Sequence, residues 1–563
     1  MAVALAVAAL LIPAAGTQAA KPPNTPPGDV NVQLLAINDF HGNLQPPTGS
    51  SGFVGSTLAG GVEYLATQIK TLEATNPDRT LEISAGDNIG ASPLISAAFH
   101  DEPTIEALNA LGLDISAVGN HEFDEGVDEL LRIQNGGCHP VDGCQDGDDY
   151  LGANFQFLAA NVVYKDSGKP IFPAYKIRSL GGAKIGFIGL TLEGTPQIVS
   201  ANGIQTVNFL DEAETINKAT QELKAKGVHT IVVLIHEGGA QSVGLNTTSI
   251  NTCVGMAGAI VPIVAQLDDE VDMVVSAHTH QAYNCLLPNA AARSIPVTSA
   301  SSFGRLVTDI DMTINRASDQ PTQISVNNVV VVRTVAKDPA ETALIDKYQT
   351  AIAPIANAIV GSITADITRT NNAAGESALG DVIGDAQKAY TQSAGSQFAF
   401  MNPGGIRADL VYAQISGGEA PGQVTYGEAF TVQPFNNLVV TQDLTGAQIK
   451  DTLEQSFIGC LGRTQATVIL QVSSQIHYSY DTSRACGDRI TAITVNGSAI
   501  VAGTTYKVAM NNFLADGGDS FPGFKAGTGR VYAPGFDVDA LTAYLGANAP
   551  VAPGPKDRIT KAP

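Results

Sequence analysis

Six short apolar runs constrain this chain more than any other feature, because five of them end in a block of glycine and metal-binding polar side chains. Residues 32–37, 80–84, 115–118, 183–190, 230–235 and 271–276 are rich in Val, Ile, Leu and Ala and read as buried strands. Helical spacing lies between them, for example over 60–75 and 209–226. Alternation of strand and helix implies a layered α/β architecture. A long Ala/Ile/Leu pattern over 338–360 predicts a helix connecting two domains. From Gly361 a second region carries its own strands, at 438–443, 490–495 and 505–510. The expected organisation is therefore a first domain over 30–337, a connecting helix over 338–360 and a second α/β domain over 361–550. The Pro- and Lys-containing tail after Pro550 is expected to fray.

The chain's 563 residues give ample core volume for two domains. Its charge, 31 basic against 54 acidic residues for a net −23, excludes one class of partner. No Lys/Arg-rich run exists to displace counterions from phosphates, so a nucleic-acid binder is not expected. With 44% apolar and only 15% charged residues, a disordered polyelectrolyte is excluded too. An apolar run over 2–15, followed by small residues at Thr17 and Ala19, reads as an export signal over 1–20. It is short for a membrane span, and no later segment is long and apolar enough, so no stable membrane anchor is expected. The missing positive n-region leaves room for a start upstream of Met1. A secreted, periplasmic or cell-surface protein is the expectation. The six cysteines agree with it, since none forms a CxxC pair. Of 15 possible connectivities, pairing of sequence neighbours is the simplest: Cys138–Cys144, Cys253–Cys285 and Cys460–Cys486.

The polar blocks at the strand ends carry the chemistry. They are Asp39-Phe40-His41, Gly86-Asp87, Gly119-Asn120-His121-Glu122-Phe123-Asp124, His236-Glu237-Gly238 and Ala277-His278-Thr279-His280. An HxH or a strand-end histidine is common by itself. Five such blocks at successive strand ends are not, and in α/β sheets that edge is where ligands bind. Asp39, His41, Asp87, Asn120, His236, His278 and His280 offer only nitrogen and oxygen, which suits Zn, Mn, Fe, Co or Mg. Seven donors exceed what one catalytic ion with open positions uses. Two ions sharing a carboxylate accommodate them, with Asp87 the best candidate for the bridge, and such ion pairs serve in-line phosphoryl hydrolysis.

This order of motifs resembles the calcineurin-like metallophosphoesterases, and among them the secreted 5′-nucleotidase family, which includes UDP-sugar hydrolases and 2′,3′-cyclic-nucleotide phosphodiesterases. The resemblance implies a four-layer α/β/β/α first domain. It places Asp39, His41 and His280 on one ion, Asn120, His236 and His278 on the second, and Asp87 on both. It also makes His121 and Asp124 a catalytic dyad, with the Asp orienting an imidazole over the phosphate.

In the second half, Asn402-Pro403-Gly404-Gly405-Ile406-Arg407, Pro434-Phe435-Asn436-Asn437 and Asn512-Phe513 through Gly517-Gly518-Asp519 put aromatic, amide and charged residues at turns. Two loop phenylalanines could stack on both faces of a base, and an aspartate could accept from ribose hydroxyls. The segments resemble the nucleotide-binding C-terminal domain of the same family. That resemblance makes Phe435 and Phe513 the base sandwich, Asp519 the ribose partner, and Asn402 and Arg407 contacts to ribose and phosphate, with Asn437 beside the base. The implied function is an exported 5′-nucleotidase. Cyclic-nucleotide phosphodiesterase or 3′-nucleotidase, UDP-sugar hydrolase, and an inactive nucleotide-binding protein stay open, as does the oligomeric state.

Overall fold

The computed structural model describes residues 28–562 except 465; the expected export segment and the proline-rich stretch after it lie outside the described residues. Two six-stranded sheets make the first half. In one, Asp29–Ile37 runs parallel to Thr80–Ser84, which continues in parallel to Ile115–Ala117 and Gln156–Leu158. Its other edge is closed by the antiparallel hairpin of Leu306–Asn315 and Gln320–Val330. In the other sheet, Ala183–Thr191, Thr230–His236 and Val271–Ser276 run parallel.

The period of two explains the layers. Val32 and Leu34 point between the sheets, where they meet Val232, Leu234, Met273 and Val275. Their neighbours Leu35 and Ile37 face outward onto Leu65 and Ile69 of the helix Val62–Glu73. On the second sheet Ile231, Val233 and Ile235 face Ile216 and Leu223 of the helix Glu212–Ala225. Helix, sheet, sheet and helix stack as four layers. Strands covered on both faces have no polar side, so their sequences are continuous apolar runs rather than alternating ones. Each fully buried Val, Leu or Ile contributes about 1.5–3 kcal/mol, and these runs supply many.

The connecting helix spans Pro339–Ala356, shorter than the expected 338–360. Asp338 caps it by accepting the N–H groups of Ala340 and Glu341, and Pro339 sits where no intrahelical N–H is needed. The expected last turn is instead extended: Ile359–Ser362 pairs antiparallel with Gln423–Thr425. Ile345, Tyr348 and Ile352 of this helix belong to one apolar cluster with Phe99 of the first half and Phe430 of the second.

The second half has a five-stranded sheet built around Phe398–Met401, Thr505–Asn511 and Leu438–Thr445. A smaller sheet contains Ile476–Tyr480 and Ile490–Val495. The tail does not fray as expected. Ile559–Lys561 adds a parallel strand to Ile476–Tyr480, with Ile559 buried and Arg558 paired to Asp385 at 2.8 Å. All three disulfides join sequence neighbours as expected: Cys138–Cys144, Cys253–Cys285 and Cys460–Cys486. Among the described residues no helix is long and apolar enough to cross a membrane.

Candidate active site

The loops that follow the parallel strands are zipped together by backbone bonds. The N–H groups of Asp39, His41 and Gly42 donate to the carbonyls of Gly86, Asp87 and Asn88, each at 3.0 Å. Gly119 is required where these loops meet, because a Cβ there would lie 2.1 Å from Asp87 Oδ1. Asp39, His41, Asp87, His278 and His280 all have φ between 49° and 70°. Left-handed backbone costs a non-glycine residue of order 1–2 kcal/mol. Such strain persists where the surroundings over-determine it, which is typical of functional sites. Five of the seven donor positions read from the sequence are held this way.

Their side chains converge. His280 Nε2 lies 3.1 Å from His41 Nε2 and 3.3 Å from Asp39 Oδ1. His236 Nε2 lies 2.9 Å from Asp87 Oδ2, and its ring meets that of His278 at 5.3 Å. Asp39, His41 and His280 form one group able to hold a cation, and Asp87, His236 and His278 another. Asp87 Oδ2 is also 3.6 Å from His41 Nε2, so its carboxylate faces both groups. The rings are turned by their far nitrogens: His41 Nδ1 donates to Gly90 O at 2.8 Å and His236 Nδ1 to Ala85 O at 2.9 Å. A carbonyl can only accept, so each Nδ1 carries a proton, and the neutral His41 ring turns its Nε2 lone pair inward. The Asp87 carboxylate outweighs burial and pushes His236 up to about 10, so a cation there would displace the proton from its Nε2.

Burial pushes the His41 imidazole well below its ordinary range and that of His278 down to about 3. It also lowers His280 despite the Asp39 carboxylate. Neutral imidazoles are what a cation needs. The buried Asn120 Oδ1 has no hydrogen-bond partner among the described residues. An orphaned buried acceptor beside two carboxylates and four neutral or paired imidazoles fits divalent cations.

His121 stands at the rim. Its N–H donates to Asp87 Oδ1 at 2.8 Å, and its Nδ1 pairs with Asp124 Oδ2 at 2.8 Å. Burial pulls this imidazole down, but Asp124 and Asp87 outweigh it and leave it above its ordinary value. The Phe435 ring lies almost parallel to His121 at 5.6 Å, and the Arg407 guanidinium sits 5.8 Å from the centre of Phe435. Asn402 Nδ2 donates to Asp519 Oδ2 at 2.7 Å, while the Phe513 ring packs on Gly518, where a Cβ would meet it at 2.5 Å. The structure thus gathers Phe435 and Arg407 at the donor cluster and joins Asn402 to Asp519. Asn437 is drawn elsewhere: its amide donates to Asp537 at 3.2 Å.

Two residues were missed in the sequence. The buried Glu122 carboxylate accepts the N–H groups of Asp87 at 2.9 Å and Asn88 at 2.8 Å, and that of Gly119, so it ties both donor loops together. Burial and the adjacent Asp87 push it up to about 7. Phe303 packs its ring against His280 at 5.3 Å and donates its N–H to Asp39 O at 2.7 Å. Glu122 lies inside a block already singled out; Phe303 has no local signal.

Comparison with known proteins agrees with this geometry. The family model for calcineurin-like phosphoesterases matches residues 32–282, and that for the 5′-nucleotidase C-terminal domain matches residues 351–526. The chain is 31% identical over 495 residues to endonuclease YhcR of Bacillus subtilis, covering 87% of this chain and 37% of that protein. It is 32% identical over 541 residues to cell wall protein Lmo0130 of Listeria monocytogenes, covering 92% and 66%. The chain therefore spans little more than a third of one relative and just under two thirds of the other. The crystal structure of the 5′-nucleotidase precursor from Thermus thermophilus superposes with a TM-score of 0.77 at 27% identity, covering 94% of this chain and 99% of that one.

Proposed function

Because the chain belongs to the 5′-nucleotidase family of calcineurin-like phosphoesterases, we propose that it is an exported hydrolase releasing phosphate from nucleoside 5′-monophosphates. The observation that carries this reading is the placement of Phe435 against His121, 5.6 Å apart, which sets an aromatic platform from one half at the rim of the donor cluster of the other. Asp39, His41 and His280 would hold one divalent ion, Asn120, His236 and His278 the second, and Asp87 both. Bound there, the ions supply charge neutralisation at the phosphoryl oxygens and activate water for in-line displacement.

The chain's own residues do the rest. Phe435 and Phe513 stack on the base, while Asp519, held by Asn402, accepts from the ribose hydroxyls. Arg407, partly buried and beside Phe435, faces the phosphate. The Asp124 and Asp87 carboxylates hold the His121 imidazole above its ordinary value, and Asp124 orients it, so its protonated form can stabilise charge on the transferring group and deliver a proton to the departing oxygen. The three disulfides support an oxidising compartment.

The test is hydrolysis by the purified chain supplied with Zn or Mn, with the products separated by chromatography, using AMP, 2′,3′-cyclic AMP, UDP-glucose and a single-stranded oligonucleotide. AMP is expected to be turned over fastest. Preferential cleavage of the oligonucleotide, or no turnover of any of the four, would overturn the reading.

A further inference from the structure

Behind the turn that carries Asp519 lies Arg463, which is only 3% exposed and near enough for its charge to act on the Asp519 carboxyl. Its guanidinium serves backbone carbonyls from three segments. Nε donates to Gln455 O, Nη1 to Ala466 O at 3.1 Å, and Nη2 to both Asp519 O at 2.6 Å and Ser520 O at 3.3 Å. Its flat face lies 4.5 Å from the centre of the Phe521 ring. No lysine could make this set of contacts, since one ammonium cannot span carbonyls on separate strands of chain.

The carbonyls it holds belong to a strained turn. Asp519 and Ser520 are consecutive non-glycine residues with φ of 51° and 59°. Aspartate visits that region by itself, but two such residues in succession are strained and are held by their surroundings. Arg463 is itself fixed: its N–H donates to Cys460 O at 2.9 Å, its carbonyl accepts from Gly459 at 2.9 Å, and Cys460 is bridged to Cys486. The chain of restraint runs from the disulfide through Arg463 to the backbone of Asp519, and from Asn402 to its carboxylate.

We propose that Arg463 is a positioning residue that locks the Asp519–Ser520 turn in its left-handed form, and so sets the selectivity of the site for ribose-bearing ligands. The proposal rests on the reading of Asp519 as the ribose partner. Arg463 does not touch the ligand; it acts by presenting one carboxylate at a fixed place.

The test uses the intact chain and binding as well as turnover. Dissociation constants for adenosine and 2′,3′-dideoxyadenosine are measured by calorimetry for the parent protein, Arg463→Lys, Arg463→Lys with Ser520→Gly, and Asp519→Ala, alongside kcat and KM for AMP and p-nitrophenyl phosphate. Arg463→Lys is expected to weaken adenosine about tenfold or more, the scale of hydrogen bonds to a charged group, while leaving dideoxyadenosine within about twofold. KM for AMP should rise and turnover of p-nitrophenyl phosphate should stay. Glycine takes the left-handed conformation without help, so Ser520→Gly should restore part of the lost adenosine affinity. Equal losses on both nucleosides and on p-nitrophenyl phosphate, or no rescue by glycine, would make Arg463 a general structural prop and overturn the proposal. If Asp519→Ala keeps the preference for adenosine, the ribose reading itself falls. If Asp519→Ala abolishes that preference and Arg463→Lys retains it, only the role of Arg463 falls.

Discussion

His121 shows how much one side chain can be asked to do. Its backbone N–H is spent on Asp87, its Nδ1 on Asp124, and one ring face on Phe435, which leaves Nε2 as the atom free to act. It also lies close enough to His41 and Asp87 to be a conceivable donor to a cation. Two roles can be separated by one variant. His121→Ala is expected to keep the metal content of the parent protein and to lower kcat for AMP by about 10²-fold, a general acid–base magnitude. Metal analysis of the purified variant together with steady-state kinetics checks this; loss of metal would make His121 a ligand. At this scale the sequence was legible where a residue type is itself the signal. Imidazoles and carboxylates at strand ends announce donors, and Asp39, His41, Asp87 and His236 do converge. Glu122 announced nothing, since its value lies in three backbone N–H groups that meet only after the loops have closed.

The elements that present those residues are held in place by groups with their own pH dependence. Glu341, in the first turn of the connecting helix, is 1% exposed, and neither carboxylate oxygen has a hydrogen-bond partner among the described residues. Burial, with the neighbouring Asp338, pushes it up to about 8 from an ordinary 4.5. A raised carboxyl pKa means that the folded state binds the proton more tightly than the unfolded state. Between pH about 4.5 and about 8 the folded chain therefore carries the extra proton, and stability falls as pH rises through that window. Glu341→Gln should remove this slope, so the gap in Tm between variant and parent should widen in the variant's favour from pH 5 to pH 8. Thermal unfolding followed by circular dichroism at several pH values checks it; a constant gap would show that Glu341 titrates normally. Elements were legible from the sequence because strands buried on both faces leave unbroken apolar runs, as 230–235 does. Their ends were less so. The expected helix ends at Ala356 and its last residues give way to the strand Ile359–Ser362, which pairs with Gln423–Thr425, and the tail is recruited by Ile559 and Arg558, partners distant in sequence.

At the scale of the whole molecule, the proposed function assigns chemistry and recognition to different halves. All seven donor positions lie between Asp39 and His280, and the clamp residues between Asn402 and Asp519. Polar contacts that join the halves near the site include Arg369 Nη2 to Ser51 Oγ at 2.9 Å and Ser520 Oγ to Gln197 at 3.1 Å. Between them, beside the connecting helix, is a cavity of about 520 Å³ lined by Asn43, Phe303, Ile352, Arg407 and Ile415 among others. Away from the site the halves are joined by the apolar cluster that runs through the connecting helix, from Phe99 to Phe430. On that proposal neither half would act on nucleotides by itself, because stacking on Phe435 and Phe513 would matter only if it delivers a phosphate to donors on the other half. Binding energy from the non-reacting part of a substrate is then used to position the reacting part. A substrate without a nucleoside has none of that energy to lose. Phe435→Ala combined with Phe513→Ala should therefore lower kcat/KM for AMP by about 10²-fold or more, from two stacks at the lower end of about 1–3 kcal/mol each. Turnover of p-nitrophenyl phosphate, measured on the same preparation, should change by less than about twofold, since the metal donors and the dyad are intact. If both substrates lost activity equally, the two rings would be acting as packing at the seam, and the division of labour between the halves would have to be abandoned.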